Sequence, residues 1–168
     1  MKRIAITGPE STGKSTVAQQ LSGHYNTLWV PEFARHYIAG LNRDYTLTDL
    51  EKIARGQLEL QQKAEATNPE IYFTDTELLV IKIWSENAFG TCPEWILEAL
   101  QNQQYDLYLL MNIDLPWEPD PQREHPHLRP YFFNLYQAEL ERLKFPYKII
   151  SGTQEERFSA ALKAVRSV

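Results

Sequence analysis

Residues 8–15 read Gly8-Pro9-Glu10-Ser11-Thr12-Gly13-Lys14-Ser15 and satisfy the pattern G-x-x-x-x-G-K-[ST] at every fixed position. Such a loop works only between a strand and a helix. The apolar run Ile4 to Thr7 precedes it, and Val17, Ala18 and Leu21 follow at the spacing of an inward helix face. The glycines let the backbone curl so that several N–H groups point at one anion, and the helix N-terminus adds its dipole at the same spot. Lys14 brings a point charge to the outer phosphates of a nucleotide, and the Ser15 hydroxyl suits a Mg²⁺ ligand position. Gly8, Glu10, Ser11, Thr12, Gly13, Lys14, Ser15 and Thr16 are therefore the expected ATP-binding residues, with Mg²⁺ as the companion ion.

The rest of the chain repeats the strand–helix rhythm. Leu28 to Val30, Ile71 to Thr74, Leu107 to Met111 and Tyr147 to Ile150 are continuously apolar or nearly so, as strands buried on both faces should be. Between them, Thr48-Asp49-Leu50-Glu51 and Thr153-Gln154-Glu155-Glu156 read as capping boxes, each opening an apolar helix stripe. Phe132, Tyr136, Leu140 and Leu143 mark another stripe, stopped by Pro146. The expected fold is α/β: a P-loop NTPase with a five-stranded parallel sheet and helices on both faces. At 168 residues it forms one domain, residues 1–168. One segment breaks the rhythm. Residues 116–130 hold five of the ten prolines and almost nothing apolar, which predicts a lid over the site.

Charge and cysteine count narrow the setting. A net charge of −5 offers no basic footprint for nucleic acid. The N-terminal apolar run is too short for a signal peptide or a membrane span. The single cysteine, Cys92, has no internal disulfide partner, which points to a reducing, cytoplasmic setting.

Further positions carry chemistry. Asp75 follows the third strand, where open α/β sheets bind their ligands, and can hold Mg²⁺ or take a proton from an attacking hydroxyl; it can equally cap the next helix. Glu77, two residues on, can share the task. Glu32 and Arg35 lie just past the second strand, one helical turn apart, placed to grip a sugar hydroxyl or a phosphate, or to form a plain surface ion pair. Arg123 and Arg129 sit in the lid segment, from which an arginine can meet charge developing on a transferred phosphoryl group. Trp84 and Trp117 can supply the aromatic face a nucleoside needs. His125 and His127 lack metal-site spacing and read as solvated.

Together these blocks resemble the ribosylnicotinamide kinase domain of NadR-type NAD-biosynthesis proteins. The resemblance runs through Gly8 to Thr16, Val30-Pro31-Glu32-Phe33-Ala34-Arg35, Phe73-Thr74-Asp75-Thr76-Glu77, Tyr105 to Leu110, Asp114-Leu115-Pro116-Trp117 and Asp120-Pro121-Gln122-Arg123. It implies a nucleoside-monophosphate-kinase-like fold with a lid. It also implies transfer of the ATP γ-phosphate to the 5′-hydroxyl of nicotinamide riboside, giving nicotinamide mononucleotide. Lys14 and Ser15 would then serve ATP·Mg²⁺ and Asp75 would face the acceptor. Glu32 and Arg35 would lie in the acceptor cleft and Arg123 in the lid. From their own chemistry, Trp117 is expected to bind substrate, Arg123 to act in catalysis and Arg129 to bind ATP. The chain departs from the family at Glu77, usually Asp, and at Asp120-Pro121-Gln122-Arg123, usually Asp-Gly-Leu-Arg. The resemblance carries over no DNA-binding or adenylyltransferase function, since these residues contain neither domain. Two other readings stay open: a kinase of another nucleoside or small metabolite, and a nucleotide-binding regulatory module with slow ATPase activity.

Overall fold

Strand β1 (Lys2–Thr7) is the centre of the sheet, and its side chains alternate between two cores. In the computed structural model, which describes all of residues 1–168, Ile4 and Ile6 face one way and Ala5 the other. Four more strands complete the sheet: β2 (Trp29–Val30), β3 (Ile71–Asp75), β4 (Leu107–Met111) and β5 (Tyr147–Ile150). All pair in parallel, in the order β2-β3-β1-β4-β5. β2 is short because Pro31 follows it and has no N–H for the ladder.

Seven helices cover the two faces. On one face, α1 (Lys14–Tyr25) and α7 (Gln154–Val165) pack Val17, Leu21, Ala161 and Val165 against Ile4, Ile6, Leu107 and Leu109. On the other lie α2 (Phe33–Ala39), α3 (Leu47–Ala66), α4 (Leu78–Phe89), α5 (Glu94–Asn102) and α6 (Arg129–Arg142). Their Leu50, Ile53, Leu79, Ile81, Ile96, Tyr136 and Leu140 enclose Ala5, Tyr108 and Leu110. Burying each large aliphatic side chain contributes about 1.5–3 kcal/mol. No helix is long and apolar enough to cross a membrane.

The structure corrects two expectations about boundaries. α3 is capped two residues earlier than Thr48. Thr46 is its N-cap and Asp49 completes the capping box, its carboxylate accepting from the Thr46 N–H at 2.8 Å. The box at α7 stands as expected, the Thr153 N–H donating to Glu156 at 3.3 Å. The irregular segment after β4 ends at Leu128, so Arg129 and Pro130 form the first turn of α6, where a proline is pre-organised for the helix.

Candidate active site

The loop between β1 and α1 is shaped by backbone that few side chains tolerate. Gly8 has φ 133°, and a Cβ there would lie 3.0 Å from the Met111 carbonyl oxygen. Gly13, at φ 80°, is the N-cap of α1 and supplies no side-chain cap, so the first-turn N–H groups remain free for an anion. Thr12 Oγ1 closes the turn by donating to the Pro9 carbonyl at 2.8 Å. Lys14 Nζ folds back onto the carbonyls of Gly8 (3.0 Å) and Pro9 (2.8 Å). Burial lowers its pKa, against the upward pull of Glu32, Asp75 and Glu10. A phosphate would replace two neutral acceptors with a charged one.

Asp75 ends β3 beside Ile6, and Ser15 Oγ donates to its Oδ2 at 2.5 Å. The carboxyl is 1% exposed. Burial, aided by the nearby charge of Glu32, pushes it up to about 6, against the Ser15 bond and Lys14. Two hard oxygens therefore converge at the mouth of the loop. No group of three or more His, Cys, Asp or Glu side chains could hold a metal ion unaided. This donor set suits Mg²⁺, which typically takes one or two protein oxygens and completes its shell with phosphate and water. Asp75 does not cap the next helix. Glu77 does: it is the N-cap of α4 and accepts from the Leu79 N–H at 2.7 Å. It also accepts from Thr7 Oγ1 at 2.9 Å and Gln103 Nε2 at 3.1 Å, and burial pushes it up to about 7. Glu77 is thus occupied by the protein itself.

Across from the loop lies a cleft of about 1140 Å³, lined on its far side by Glu32, Arg35, Arg43, Tyr45 and Trp84. Glu32 and Arg35 do not pair with each other. Arg35 Nη1 donates to Asp120 of the lid at 2.7 Å, and the Gln122 amide donates to the Arg35 carbonyl at 3.1 Å. The Glu32 carboxylate has no partner in the protein, and its charge reaches both Lys14 and Asp75. Trp84 Nε1 donates to the Tyr45 hydroxyl at 3.0 Å, which in turn donates to Glu124 at 3.1 Å.

The lid rests on the loop. Glu10 accepts from the N–H groups of Glu124 and His125 at 3.3 Å, and the Glu118 N–H donates to Ser11 Oγ at 2.9 Å. Arg123 lines the cleft, its guanidinium donating only to the Glu118 carbonyl and its charge felt at Lys14. Arg129 is different. It donates to the carbonyls of Ser11 (3.1 Å) and Leu115 (2.8 Å), bracing the loop from behind rather than lining the cleft. Trp117 also lies outside the lining; the Arg129 guanidinium sits 5.7 Å from its ring. His127 is exposed, but His125 lines the cleft and its ring meets Phe132 at 5.3 Å. These three departures share one setting: the polar segment folds back over the loop, with Glu118, Glu124 and His125 bonded to Ser11 and Glu10.

Three contributors escaped the sequence reading. Tyr45 and Arg157 line the cleft, and Gln57 supports Glu32 from behind. Arg157 is 2% exposed, with its guanidinium donating to the carbonyls of Ile150 (2.9 Å) and Asn112 (2.7 Å) and to Asp114 (2.9 Å). Its only signal was a position one turn before Ala161 on the apolar face of α7.

Residues 3–157 match the family described as AAA domain. Among curated proteins, the chain is 25% identical over 175 residues to the trifunctional NAD biosynthesis/regulator protein NadR of Escherichia coli (strain K12), covering 100% of this chain and 43% of that protein. The chain thus spans less than half of that relative. Among solved structures it is similar to a NadR protein in complex with NR, at TM-score 0.78 and 21% identity, covering 99% of this chain and 51% of that one. A NadR protein in complex with NAD and AMP-PNP superposes at TM-score 0.75 and 22% identity, covering 99% and 49%. Thymidylate kinase from Ehrlichia chaffeensis does so at 0.65 and 14%, covering 99% and 97%. These likenesses show a P-loop, kinase-like fold.

Proposed function

We propose, from the premise that the chain belongs to the AAA domain family matched by residues 3–157, that it is an ATP-dependent kinase. In this reading it phosphorylates the 5′-hydroxyl of nicotinamide riboside to give nicotinamide mononucleotide. One observation carries the reading. A complete phosphate loop faces an unpartnered carboxylate, Glu32, across a cleft under a lid arginine. A module that only binds nucleotide does not need that carboxylate, and a cleft of about 1140 Å³ beside it leaves room for an acceptor larger than water. The choice of nicotinamide riboside is supported by the likeness to the NadR proteins, one of them bound to NR.

The loop N–H groups and Lys14 hold the β- and γ-phosphates of ATP. Ser15 and Asp75 would hold Mg²⁺, which neutralises phosphate charge and aligns the transferred group. The two carboxylates divide the work. Asp75 is pinned by Ser15 and almost inaccessible, so it serves the metal side. Glu32 is open to the cleft and serves the acceptor. As the acceptor O–H breaks, its proton passes to Glu32; the hydroxyl oxygen bonds to the γ-phosphorus, and the bond to the bridging oxygen breaks to release ADP. Arg123 meets the charge spread over the transferred group. The reading implies Mg·ATP as cofactor, a small nucleoside rather than nucleic acid as partner, and a cytoplasmic setting.

Lys14→Ala tests the assignment at its root. Lys14 contacts only loop carbonyls, so the variant should fold, and phosphoryl transfer should fall by about a thousandfold or more. Near-wild-type turnover would refute the nucleotide site.

A further inference from the structure

α2 begins without a cap of its own. Glu32 is its N-cap residue, at φ −66° and ψ 108°, yet its side chain accepts no bond from the helix. Residues at this position commonly use the side chain to satisfy first-turn N–H groups. Here the Phe33 N–H donates instead to Gln57 Oε1 at 2.9 Å, and Gln57 Nε2 donates to the Pro31 carbonyl at 3.2 Å. The Pro31 carbonyl belongs to the peptide unit before the Glu32 Cα, and the Phe33 N–H to the unit after it. One side chain therefore grips both peptide units that set the Glu32 backbone.

Gln57 reaches this point from the middle of α3 and is 2% exposed. An amide has one donating and one accepting end, which a carboxylate, a hydroxyl or an apolar side chain cannot supply over the same span. A buried amide left unpaired would cost about 1–3 kcal/mol, so the two bonds are a condition of placing glutamine there. The preceding residue brings the segment close enough. A Cβ on Gly56 would lie 2.4 Å from the Phe33 ring, so only glycine lets α2 seat against α3. The consequence is that Glu32, relieved of capping, keeps its carboxylate in the cleft.

We propose that Gln57 is a positioning residue for phosphoryl transfer: by clamping the peptide units on both sides of Glu32, it aims the Glu32 carboxylate at the acceptor hydroxyl. This rests on the kinase reading above. A misplacement of about 1 Å at a reacting group can cost on the order of a hundredfold in rate, so the clamp is expected to show in kcat rather than in ATP binding.

The test is a double-mutant cycle of Gln57→Met, which keeps the length and loses both bonds, with Glu32→Gln. Readouts are kcat, KM for ATP and for nicotinamide riboside, and Tm. Gln57→Met should lower kcat by about ten- to a hundredfold and leave KM for ATP within about twofold. In the Glu32→Gln background the same change should lower kcat by less than about threefold, because there is no longer a base to aim. Effects that multiply, or a Gln57→Met enzyme with wild-type kcat beside a crippled Glu32→Gln, overturn the proposal and leave the kinase reading standing. A wild-type kcat in Glu32→Gln removes the kinase role of Glu32 and the proposal with it, as does an enzyme that phosphorylates no acceptor. If another nucleoside is the better acceptor, the cycle is run with that one, since the clamp acts on Glu32 and not on the base. If Gln57→Met does not fold, Gln57→Asn, one methylene too short to span both groups, takes its place.

Discussion

Asp49 and Asp75 are equally buried, each 1% exposed, and the protein treats them in opposite ways. At the junction of α2 and α3, Asp49 is saturated. It accepts from Arg43 twice (2.6 and 3.0 Å), from the Tyr37 hydroxyl (2.7 Å) and from the Thr46 N–H (2.8 Å). The Arg43 bonds first, then Tyr37 and Thr46, hold its carboxyl well below the usual range. At the end of β3, Asp75 has one strong donor, Ser15, and burial lifts it to about 6. The arginines follow suit. Arg43 is neutralised by Asp49, whereas Arg123 reaches only a carbonyl. Where every charge is answered, the structure is being held together. Where charges are left waiting around a cleft, a ligand is expected to answer them.

The contrast predicts different losses from matched substitutions. Asp75→Asn should lower kcat by roughly a hundredfold or more while the fold survives, since α4 is capped by Glu77. Unchanged turnover in a folded variant would end its role. Arg123→Ala should cost about a hundredfold in kcat with a smaller effect on ATP binding. Arg129→Ala, which loses a brace and not a cleft group, should lower Tm as well; a pure kcat loss there would reverse the assignment of the two arginines. Asp49→Asn should do the reverse of Asp75→Asn: a Tm lower by several degrees, with kcat of the folded enzyme changed by less than about fivefold. A larger kinetic than thermal effect would erase the distinction.

The smallest expected effect is on pH dependence without ligand. The folded value of Asp75, about 6, lies above its ordinary 3.8, so its contribution to stability is full below the ordinary value and lost as pH rises through about 6. Asp49 is shifted downward, so its contribution is present above 3.8 and lost only as pH falls through its depressed value. Ligand-free Tm should therefore fall between about pH 4 and about pH 7, and Asp75→Asn should flatten the lower part of that fall, leaving the part due to Glu77. An equal slope in both proteins would contradict the elevated Asp75.

What could be read from the sequence follows from how local each feature is. The phosphate loop, the five strands and the carboxylate at the end of β3 are local patterns, and the folded chain keeps the strands to within about two residues of the expected bounds. The sequence around the start of α3 offers two capping boxes, since Thr46-x-x-Asp49 and Thr48-x-x-Glu51 both fit the pattern. The choice depends on Arg43 and Tyr37, which hold Asp49 through contacts that no capping window contains. Spacing alone does not say which way the segment after β4 folds, and so does not tell that Trp117 faces Arg129 rather than the cleft. Gln57, by contrast, is marked in the sequence. It stands seven residues after Leu50, with Ile53 and Ala54 between, on the buried face of α3. A polar residue at such a core position must have partners, and its partners are the peptide groups around Glu32.

The central claim is that this cleft transfers phosphate to a nucleoside hydroxyl, and the direct measurement is product identity and stoichiometry with Mg·ATP. Nicotinamide riboside, uridine, adenosine and a no-acceptor control should be compared by kcat/KM, with ADP and phosphorylated nucleoside quantified together. Nicotinamide riboside is expected to have the highest kcat/KM, yielding nicotinamide mononucleotide and ADP in equal amounts, with little ADP formed in the control. An equal or higher kcat/KM with another nucleoside would contradict the assigned acceptor. ADP formed at the same rate with and without acceptor, and no phosphorylated nucleoside, would contradict the kinase itself.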